Sequence, residues 1–332
     1  MEDLPLVTVC HLCYNNANWI IESADAVRKS TYPHIEHIII DDCSTDDSWI
    51  RLKEYVAALD SGAIKLIRHE QNAGIPAGHN HGVKIANGKY YCGAVSDDII
   101  APEKIMEDVL LMESVADEEV VGVYSLAQFF THVPGDREEI MGFPRRRTFM
   151  GFKLNRNFHI EEGKVPTEQM KEILSRKNFI PAPTTMLRTD WLKGSPYDSS
   201  FFLEDYPKWV DMCLQGKALW FRKDLTTFYR RSEKSFSSKF RNDSIRLRVI
   251  HDTVRCRMTL LEDLGHWRQS RSELRERGHF LLRANFGMFE AWFHSAVAER
   301  QWRGPLYFTS RYTSNKYFLK MALMLSRLTP VV

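Results

Sequence analysis

Acidic residues follow two apolar, β-branched segments in the first third of the chain. Asp41 and Asp42 end the run HIEHIII, and Ser96, Asp97 and Asp98 end the run KYYCGAV. In an open parallel sheet, ligands bind at the carboxyl ends of the strands, so both groups are expected at one edge. Carboxylate oxygens suit Mg²⁺ or Mn²⁺, which keep coordination positions open for substrate phosphates. The pattern indicates a phosphorylated ligand held through a divalent metal ion.

The sequence lacks the glycine-rich motifs that bind phosphate directly. Neither G-x-G-x-x-G nor G-x-x-x-x-G-K-[ST] occurs, which disfavours a dinucleotide site or a P-loop. A nucleoside diphosphate linked to a reactive group fits a carboxylate and metal site better.

The acidic groups need a sheet to position them, and the first half of the chain has the pattern of one. The apolar runs LVTVCHLCY, HIEHIII, AIKLIRH and KYYCGAV alternate with helix-like segments at residues 18–29, 46–59 and 76–86. Alternation of this kind is typical of a parallel sheet wound with helices. A further strand is predicted at residues 120–124, so the fold class is α/β.

Two more acids follow the first acidic pair in the segment STDDSW. Ser44 or Thr45 is predicted to cap the second helix, with Asp46 and Asp47 in its first turn, where carboxylates favour the helix dipole. These two acids therefore have a structural explanation. Asp41 has an alternative as a solvated turn residue, which leaves Asp42 as the firmer ligand.

The pattern of predicted helices and strands changes near residue 240, which predicts a boundary between two regions of the chain. Residues 1–238 read as an α/β catalytic domain with a long irregular insertion at about 132–168, and long loops of this kind are usually functional. Residues 239–332 read as mostly helical, with helices predicted at 243–264 and 273–299. The tail, residues 300–332, interleaves basic and aromatic side chains without any acid.

Composition and charge restrict the classes of partner and the cellular compartment that the sequence allows. A formal charge of +2 argues against a nucleic-acid binder, and the sequence predicts neither an export signal nor a membrane-spanning segment. The six cysteines are interpreted as reduced, buried thiols of a cytoplasmic protein.

The basic, aromatic tail suits the surface of an anionic bilayer, which predicts peripheral attachment at the cytoplasmic face of an inner membrane. Packing on the catalytic domain, or a homodimer contact, is the alternative.

Four segments resemble, in order and approximate spacing, the motifs of the family 2 glycosyltransferases. They are VTVCHLCYNNANWI, HIIIDDCSTDDS, NAGIPAGHNHGVKIANGKYYCGAVSDDIIAPEKI and FFLEDYPKWVDMCLQG, which span residues 6–237 with the adjoining strands. The resemblance implies the GT-A fold, a Rossmann-like and mostly parallel central sheet flanked by helices, with a C-terminal helical extension. It also implies a sugar-nucleotide-dependent transferase that inverts the anomeric centre.

The resemblance assigns roles to residues of this sequence. Asp205 matches the general base, and Asp97 and Asp98 match the metal ligands, with Mn²⁺ or Mg²⁺ as the cofactor. Asp42, with Asp41 beside it, matches the acid that accepts a hydrogen bond from the nucleotide base. The complete set of implied sugar-nucleotide contacts is Tyr14, Asn15, Asp41, Asp42, Asn72, Gly74, Asn80, Ser96, Asp97, Glu204 and Arg230.

Two positions depart from the family pattern. Val95 stands where an acid is common, so the division of labour between Asp97 and Asp98 stays open. Ser232 stands near a position where many relatives have a histidine, and Arg230, Arg231 or Lys234 is the alternative source of positive charge.

The sequence thus predicts an inverting, metal-dependent transferase that moves a hexose or N-acetylhexosamine from a UDP-sugar to a saccharide acceptor. The predicted setting is bacterial O-antigen or capsule assembly on a polyprenyl-diphosphate-linked oligosaccharide, with a β-linked product. Arginines 145–147 would meet the acceptor pyrophosphate or form a solvated charge run.

Two alternatives come from other functional classes. A sugar-nucleotide nucleotidyltransferase would need a Gly-rich, Arg- and Lys-bearing loop where the chain reads CYNNANW. A non-catalytic saccharide- or nucleotide-binding protein with a decayed site is hinted at by Val95 and Ser232.

Overall fold

Nine strands form one mixed sheet in the computed structural model, which describes residues 4–60, 62–130, 160–175, 177–230 and 243–264. In chain order the elements are β1 (Val7–Cys13), α1 (Ile20–Arg28), β2 (Ile35–Asp41), α2 (Ser48–Ala57), β3 (Lys65–Arg68), α3 (Ile75–Ile85), β4 (Tyr90–Val95), β5 (Ile99–Ile100), α4 (Lys104–Ser114), β6 (Val120–Phe130), β7 (Gly163–Lys164), α5 (Thr167–Leu174), β8 (Met186–Arg188), α6 (Thr189–Gly194), α7 (Asp205–Leu214), β9 (Ala218–Arg230) and α8 (Asp243–Asp263).

The sheet has the strand order β3-β2-β1-β4-β8-β6-β9-β5, and β7 pairs with β9. The four strands predicted in the first half are confirmed, and β3, β2, β1 and β4 are all parallel. Beyond β4 the sheet is mixed, because β8 runs antiparallel to both its neighbours and β5 and β7 run antiparallel to β9. The expectation of a mostly parallel sheet is confirmed for the long strands, because β6 also runs parallel to β9 and only the short strands β5, β7 and β8 are antiparallel to their neighbours. Strands of two or three residues, such as β5, β7 and β8, carry too little periodicity to be found in the sequence.

The central strands are buried on both faces, which explains their continuous apolar runs. Successive side chains of β1 belong to different clusters: Val9 packs in one, whereas Cys10 packs with Ile38 and Ile40 in another. This alternation follows from the two-residue period of a strand. The helices between the strands cover these faces and leave the strand ends accessible to loops.

The start of α2 differs from the sequence prediction. The helix begins at Ser48, so Asp46 and Asp47 precede it and its first turn contains no acid. Asp46, rather than Ser44 or Thr45, accepts from the first amide of α2, the backbone N–H of Ser48, at 2.9 Å, and it also accepts from the backbone N–H of Ala17, in the loop before α1, at 3.1 Å. Asp46 has a structural role, as expected, but by another geometry.

Other predicted boundaries shift in the same way. The strand predicted at 120–124 continues to Phe130, and the segment predicted as irregular ends earlier than expected, because β7 and the start of α5 lie within it. The helix predicted at 243–264 is confirmed as α8. The rest of the insertion, arginines 145–147, the helix predicted at 273–299 and the tail lie outside the described residues. Within the described parts of the chain, no helix combines the length and apolar character that spanning a membrane requires.

The buried polar residues of the core support the structural interpretation of several sequence features. All six cysteines are free thiols, and only Cys43 is not fully buried. His11 is buried, with its ring nitrogens 3.0 Å from His37 Nε2 and 2.9 Å from Ser23 Oγ, so it is a satisfied core histidine. Trp209 and Cys213 are likewise core residues.

The turn between α3 and β4 requires a glycine. A Cβ at Gly88 would lie 2.4 Å from the Thr8 backbone nitrogen and 2.8 Å from the Tyr90 carbonyl oxygen. Because backbone atoms cannot easily move aside, Gly88→Ala is expected to lower the free energy of unfolding by about 1–3 kcal/mol. Gly194→Ala is the matched control, since no heavy atom lies within 4 Å of its added Cβ. Urea denaturation of both variants tests this, and equal midpoints would contradict it.

Candidate active site

Three parallel strands end side by side and bring their following loops to one edge of the sheet. Cys13 pairs with Asp41 and Leu12 pairs with Val95, so β1, β2 and β4 end at the same level. The loops also contact one another, because Asn16 Nδ2 donates to Ser96 Oγ at 2.7 Å. The two acidic groups of the sequence therefore meet at one edge, as predicted.

The loop after β1 exposes one aromatic side chain, and an asparagine in the same loop forms hydrogen bonds with the loop after β2. Tyr14 is 44% exposed. Asn15 has a φ of +52°, in the left-handed region that asparagine tolerates. Its Oδ1 accepts from the backbone N–H of Thr45 at 2.7 Å and of Asp46 at 3.2 Å. Of the two predicted contacts, Tyr14 is available to a ligand, and Asn15 holds the loops together.

Asp41 is fully buried, which excludes its interpretation as a solvated turn acid. Its Oδ2 accepts from the backbone N–H of Ser44 at 3.1 Å and lies 3.3 Å from Arg68 Nε. Its Oδ1 has no hydrogen-bond partner among the described residues. The Asp41 side chain thus stabilises the loop after β2 through its hydrogen bond with the backbone of Ser44.

Asp42 anchors the loop that connects β3 with α3. Its carboxylate accepts from the backbone N–H groups of Ala73 at 2.9 Å and Gly74 at 3.0 Å, and it lies 2.7 Å from His69 Nδ1. Asn72 Nδ2 donates to the Asp42 carbonyl at 3.2 Å. Only 2% of Asp42 is exposed. The base-binding role that the family resemblance implies for Asp42 stays a prediction, whereas the structure shows that Asp42 fixes the position of the predicted contacts Asn72 and Gly74.

His69 extends this anchor to α3. Its Nε2 lies 2.8 Å from His81 Nδ1, and the two rings are stacked with an interplanar angle of 14°. Burial, the neighbouring His69 and two lysines lower the pKa of His81. No sequence pattern indicates this pair, because the two histidines are 12 residues apart on different elements.

Asn80 has a role other than the predicted donor contact. Its Nδ2 donates to the Tyr197 carbonyl at 2.8 Å, and its Oδ1 accepts from the Tyr197 N–H at 2.8 Å. This pairing uses both ends of the amide to join α3 to the segment before α7. The geometry therefore makes Asn80 a structural residue.

Two adjacent carboxylates follow β4, and one of them has an unused buried oxygen. Asp98 Oδ1 accepts from the backbone N–H of Arg230 at 2.8 Å, whereas Oδ2 has no hydrogen-bond partner among the described residues. Burial, and next the neighbouring Asp97, raise the pKa of Asp98 well above its usual range. A cation would relieve both effects, so the residues fit Mg²⁺ or Mn²⁺.

The rest of the coordination shell must come from elsewhere. No group of three or more His, Cys, Asp or Glu side chains suited to a metal occurs in the part of the chain that the structure describes. Asp97 and Asp98 would therefore hold the ion together with diphosphate oxygens and water, which is the usual arrangement for Mg²⁺.

Arg230 lies behind this pair of carboxylates at the end of β9. It is fully buried, and its Nε donates to the Asp97 carbonyl at 2.8 Å while its Nη2 donates to Glu22 Oε2 at 2.6 Å. The sequence suggested that Arg230 supplies positive charge to a diphosphate. The ion pair with Glu22 balances that charge, and it joins residues 208 positions apart that no sequence pattern connects.

A second pair of acids, Glu204 and Asp205, lies at the start of α7. Asp205 accepts from the N–H of Tyr206 at 2.7 Å and from Asn178 Nδ2 at 2.8 Å. Burial raises the pKa of Asp205, although these two hydrogen bonds oppose the shift. Burial, and next the charge of Asp205, raise the pKa of Glu204 to about 8. The sequence pointed to both acids, whereas the contact with Asn178 depends on tertiary structure.

Residues 8–170 match the family model described as glycosyl transferase family 2. This part of the chain is a family 2 glycosyltransferase domain. Similar curated proteins include the putative colanic acid biosynthesis glycosyl transferase WcaA of Escherichia coli K12, 33% identical over 105 residues, and the putative glycosyltransferase EpsE of Bacillus subtilis 168, 32% identical over 122 residues. The alignments cover 32% and 37% of this chain, and the chain spans only 37% and 44% of the two relatives.

Solved structures extend the likeness beyond this domain. S. aureus TarS 1–349 in complex with UDP-GlcNAc superposes with a TM-score of 0.56 at 19% identity, covering 92% of this chain and 87% of that one. The mannosyltransferase PcManGT from Pyrobaculum calidifontis, in complex with GDP-Man and Mn²⁺, gives 0.53 at 13% identity, covering 98% and 85%. The glycosyltransferase domain thus has the GT-A fold that its motifs implied.

Across the described residues the acids divide by element. Asp41 and Asp42 support loops at the end of β2, and Asp98, beside Asp97, presents an unused oxygen at the end of β4. Glu204 and Asp205 begin α7, where burial raises the pKa of both carboxyls. Perturbed acids at separate positions are typical of a catalytic site.

Proposed function

We propose that the chain is an inverting, metal-dependent glycosyltransferase that transfers a hexose or N-acetylhexosamine from a UDP-sugar to a saccharide acceptor. The observation that carries the proposal is the pairing of two acidic groups with different chemistry. Asp98, beside Asp97, has an unused buried oxygen suited to a metal, and Asp205 begins a helix with a raised pKa. The first suits a diphosphate leaving group, and the second suits a general base.

The two acidic groups divide the reaction between them. Departure of the nucleoside diphosphate leaves negative charge, which a divalent ion bound by Asp97 and Asp98 would stabilise as a Lewis acid. Asp205 accepts the proton of the attacking acceptor hydroxyl, and Asn178 orients its carboxylate through the 2.8 Å hydrogen bond. Attack from the side opposite the leaving group inverts the anomeric centre, so an α-linked donor gives a β-linked product.

Several similarities support the choice of donor. TarS, which shares the fold, forms complexes with UDP and with UDP-GlcNAc, and PcManGT binds GDP-Man with Mn²⁺. A sugar nucleotide with Mn²⁺ or Mg²⁺ is therefore the proposed donor complex. Tyr14, exposed beside the end of β1, is the side chain best placed to contact the nucleotide.

The proposed acceptor is a saccharide of a bacterial surface polysaccharide, carried on a polyprenyl diphosphate. The name of WcaA, a putative colanic acid biosynthesis enzyme, supports this setting. A lipid-linked acceptor would bring the enzyme to the cytoplasmic face of the inner membrane, where the basic and aromatic tail would contact anionic lipid. A homodimer contact through that tail is the competing assignment.

A thermal-shift panel of nucleoside diphosphates and sugar nucleotides, with and without Mn²⁺, tests the proposal. UDP and a UDP-sugar are expected to raise the melting temperature only with metal, because a ligand at 100 times its Kd stabilises the folded state by about 2.7 kcal/mol. Asp97→Asn is expected to remove the metal-dependent part of the shift. No stabilisation by any nucleotide with Mn²⁺ would overturn the proposal.

Turnover separates the enzyme from a protein that only binds. Slow Mn²⁺-dependent hydrolysis of a UDP-sugar without acceptor is expected, because water can replace the acceptor hydroxyl. Metal-dependent binding without any hydrolysis or transfer would instead favour a decayed site, which the valine at position 95 hinted at.

A further inference from the structure

Arg230 joins three separate segments and contacts both predicted metal ligands. Its backbone N–H donates to Asp98 Oδ1 at 2.8 Å, and its Nε donates to the Asp97 carbonyl at 2.8 Å. Its Nη2 donates to Glu22 on α1 at 2.6 Å. One residue of β9 therefore holds the turn after β4 and connects it to the first helix.

Aromatic rings enclose the same guanidinium. Its central carbon lies 4.2 Å from the centroid of the Trp19 ring and 4.4 Å from that of the Phe130 ring. Arginine suits this environment because its flat, weakly hydrated group stacks on aromatic faces while its edge donates hydrogen bonds. With Glu22 balancing its charge, the buried cation has a fixed orientation.

The contacts of Arg230 determine which oxygen of Asp98 remains unused. The backbone N–H occupies Oδ1, and Oδ2 has no hydrogen-bond partner among the described residues. The bond from Nε fixes the carbonyl of Asp97, and with it the backbone from which the neighbouring carboxylate projects. Groups that orient metal ligands in this way affect metal affinity strongly without touching the ion.

We propose that Arg230 is a positioning residue for the metal-binding turn, held in place by Glu22 and Trp19 of the first helical segment. It acts through Asp97 and Asp98, because its Nε is engaged by the Asp97 carbonyl and its Nη2 by Glu22. The part of this inference that concerns the metal rests on the proposed function. The part that concerns the turn rests on the contacts alone, so the two can be tested separately.

Arg222 provides a matched control on the same strand. It is also buried, at 7% exposure, and its guanidinium donates to Asp108 and to two further carboxylates, at distances of 2.6–2.7 Å. These partners lie on α4 and β9, away from the turn after β4. Arg222→Lys and Arg230→Lys therefore make the same chemical change in two buried ion pairs, only one of which contacts the turn.

Hydrogen exchange in the absence of ligand is the first measurement. Lysine keeps the charge but cannot donate to the Asp97 carbonyl and to Glu22 at once. Arg230→Lys is expected to accelerate amide exchange in residues 96–98, and Arg222→Lys is expected to leave exchange there unchanged. Equal exchange of residues 96–98 in the native protein and the Arg230→Lys variant would overturn the inference.

Mn²⁺ affinity in the presence of UDP, measured by electron paramagnetic resonance, is the second readout. Arg230→Lys is expected to weaken Mn²⁺ binding by about 10- to 100-fold, the usual effect of removing a group that orients metal ligands. Arg222→Lys is expected to bind Mn²⁺ as the native protein does. Unaltered affinity in Arg230→Lys would overturn the metal part of the inference, whereas no Mn²⁺ binding by the native protein would overturn the proposed function.

A second variant keeps the test decisive if Arg230→Lys does not fold. Glu22→Gln retains the size and one acceptor oxygen of the partner but removes its charge. It is expected to change exchange at residues 96–98 and Mn²⁺ affinity in the same direction as Arg230→Lys, by a smaller factor. A folded Glu22→Gln variant with native values of both would contradict the role given to the first helix.

Discussion

Asp205→Asn is expected to lower the rate of sugar transfer by about 10²- to 10⁴-fold, the usual worth of a general base. Asparagine has the shape of the aspartate and keeps an acceptor for the N–H of Tyr206, so the start of α7 should be preserved. It cannot take the proton of the acceptor hydroxyl. Single-turnover transfer measures the rate, and calorimetric titration with UDP and Mn²⁺ measures nucleotide affinity, which is expected to stay close to the native value.

A second aspartate of the same helix supplies the control. Asp211 accepts hydrogen bonds from Lys208 Nζ at 2.9 Å and from Ser195 Oγ at 2.5 Å, contacts that have a structural explanation. Asp211→Asn is expected to lower stability and to leave the rate constant of transfer within a small factor. If Asp205→Asn transferred sugar at nearly the native rate, the general base would have to be another residue.

The strand-end acids could be predicted from the sequence because the signal is local. Each parallel strand is a short apolar run, and the loop after it follows directly in sequence, so Asp42 and Asp97 are placed at one edge by topology alone. The register confirms this, with Cys13 opposite Asp41 and Leu12 opposite Val95. The existence of these strands, and of α1 to α3, required no knowledge of tertiary contacts.

The roles of individual side chains at that edge could not be predicted in the same way. Asn80 pairs with Tyr197, which is 117 residues away, and Arg230 pairs with Glu22. Whether a polar side chain faces a ligand or another segment depends on which segment packs against it, and that choice is set by the whole fold. The sequence therefore placed these residues at one sheet edge but could not separate residues available to a ligand from residues that hold the loops together.

The acid pair at the start of α7 shows a different limit, because its chemistry depends on burial. An unperturbed glutamate and aspartate would both be ionised at neutral pH. In the folded protein, burial and the charge of Asp205 raise the pKa of Glu204 to about 8, so this carboxyl keeps its proton near pH 7. Two neighbouring carboxyls in different environments usually have different roles. A protonated Glu204 leaves Asp205 as the charged member, which is the state that a base requires.

The raised pKa of Glu204 has a consequence for stability that Glu204→Gln tests. Between the ordinary pKa of 4.5 and the folded-state value of about 8, the folded protein holds a proton that the unfolded chain has lost. Stability linked to this group is therefore complete below pH 4.5, falls as pH rises through this window and levels off above it. Glutamine does not titrate, so the melting temperature of Glu204→Gln is expected to rise relative to the native protein from pH 5 to pH 8, with little further change above.

The exposed Glu118 provides the comparison for this measurement. The difference in melting temperature between Glu118→Gln and the native protein is expected to be nearly constant over the same pH range, because the Glu118 side chain is solvated in both the folded and the unfolded chain. A constant difference for Glu204→Gln as well would show that Glu204 is ionised at neutral pH. Two adjacent charged carboxylates would then begin α7, and the selection of Asp205 as the base would need a cause other than the protonation of its neighbour.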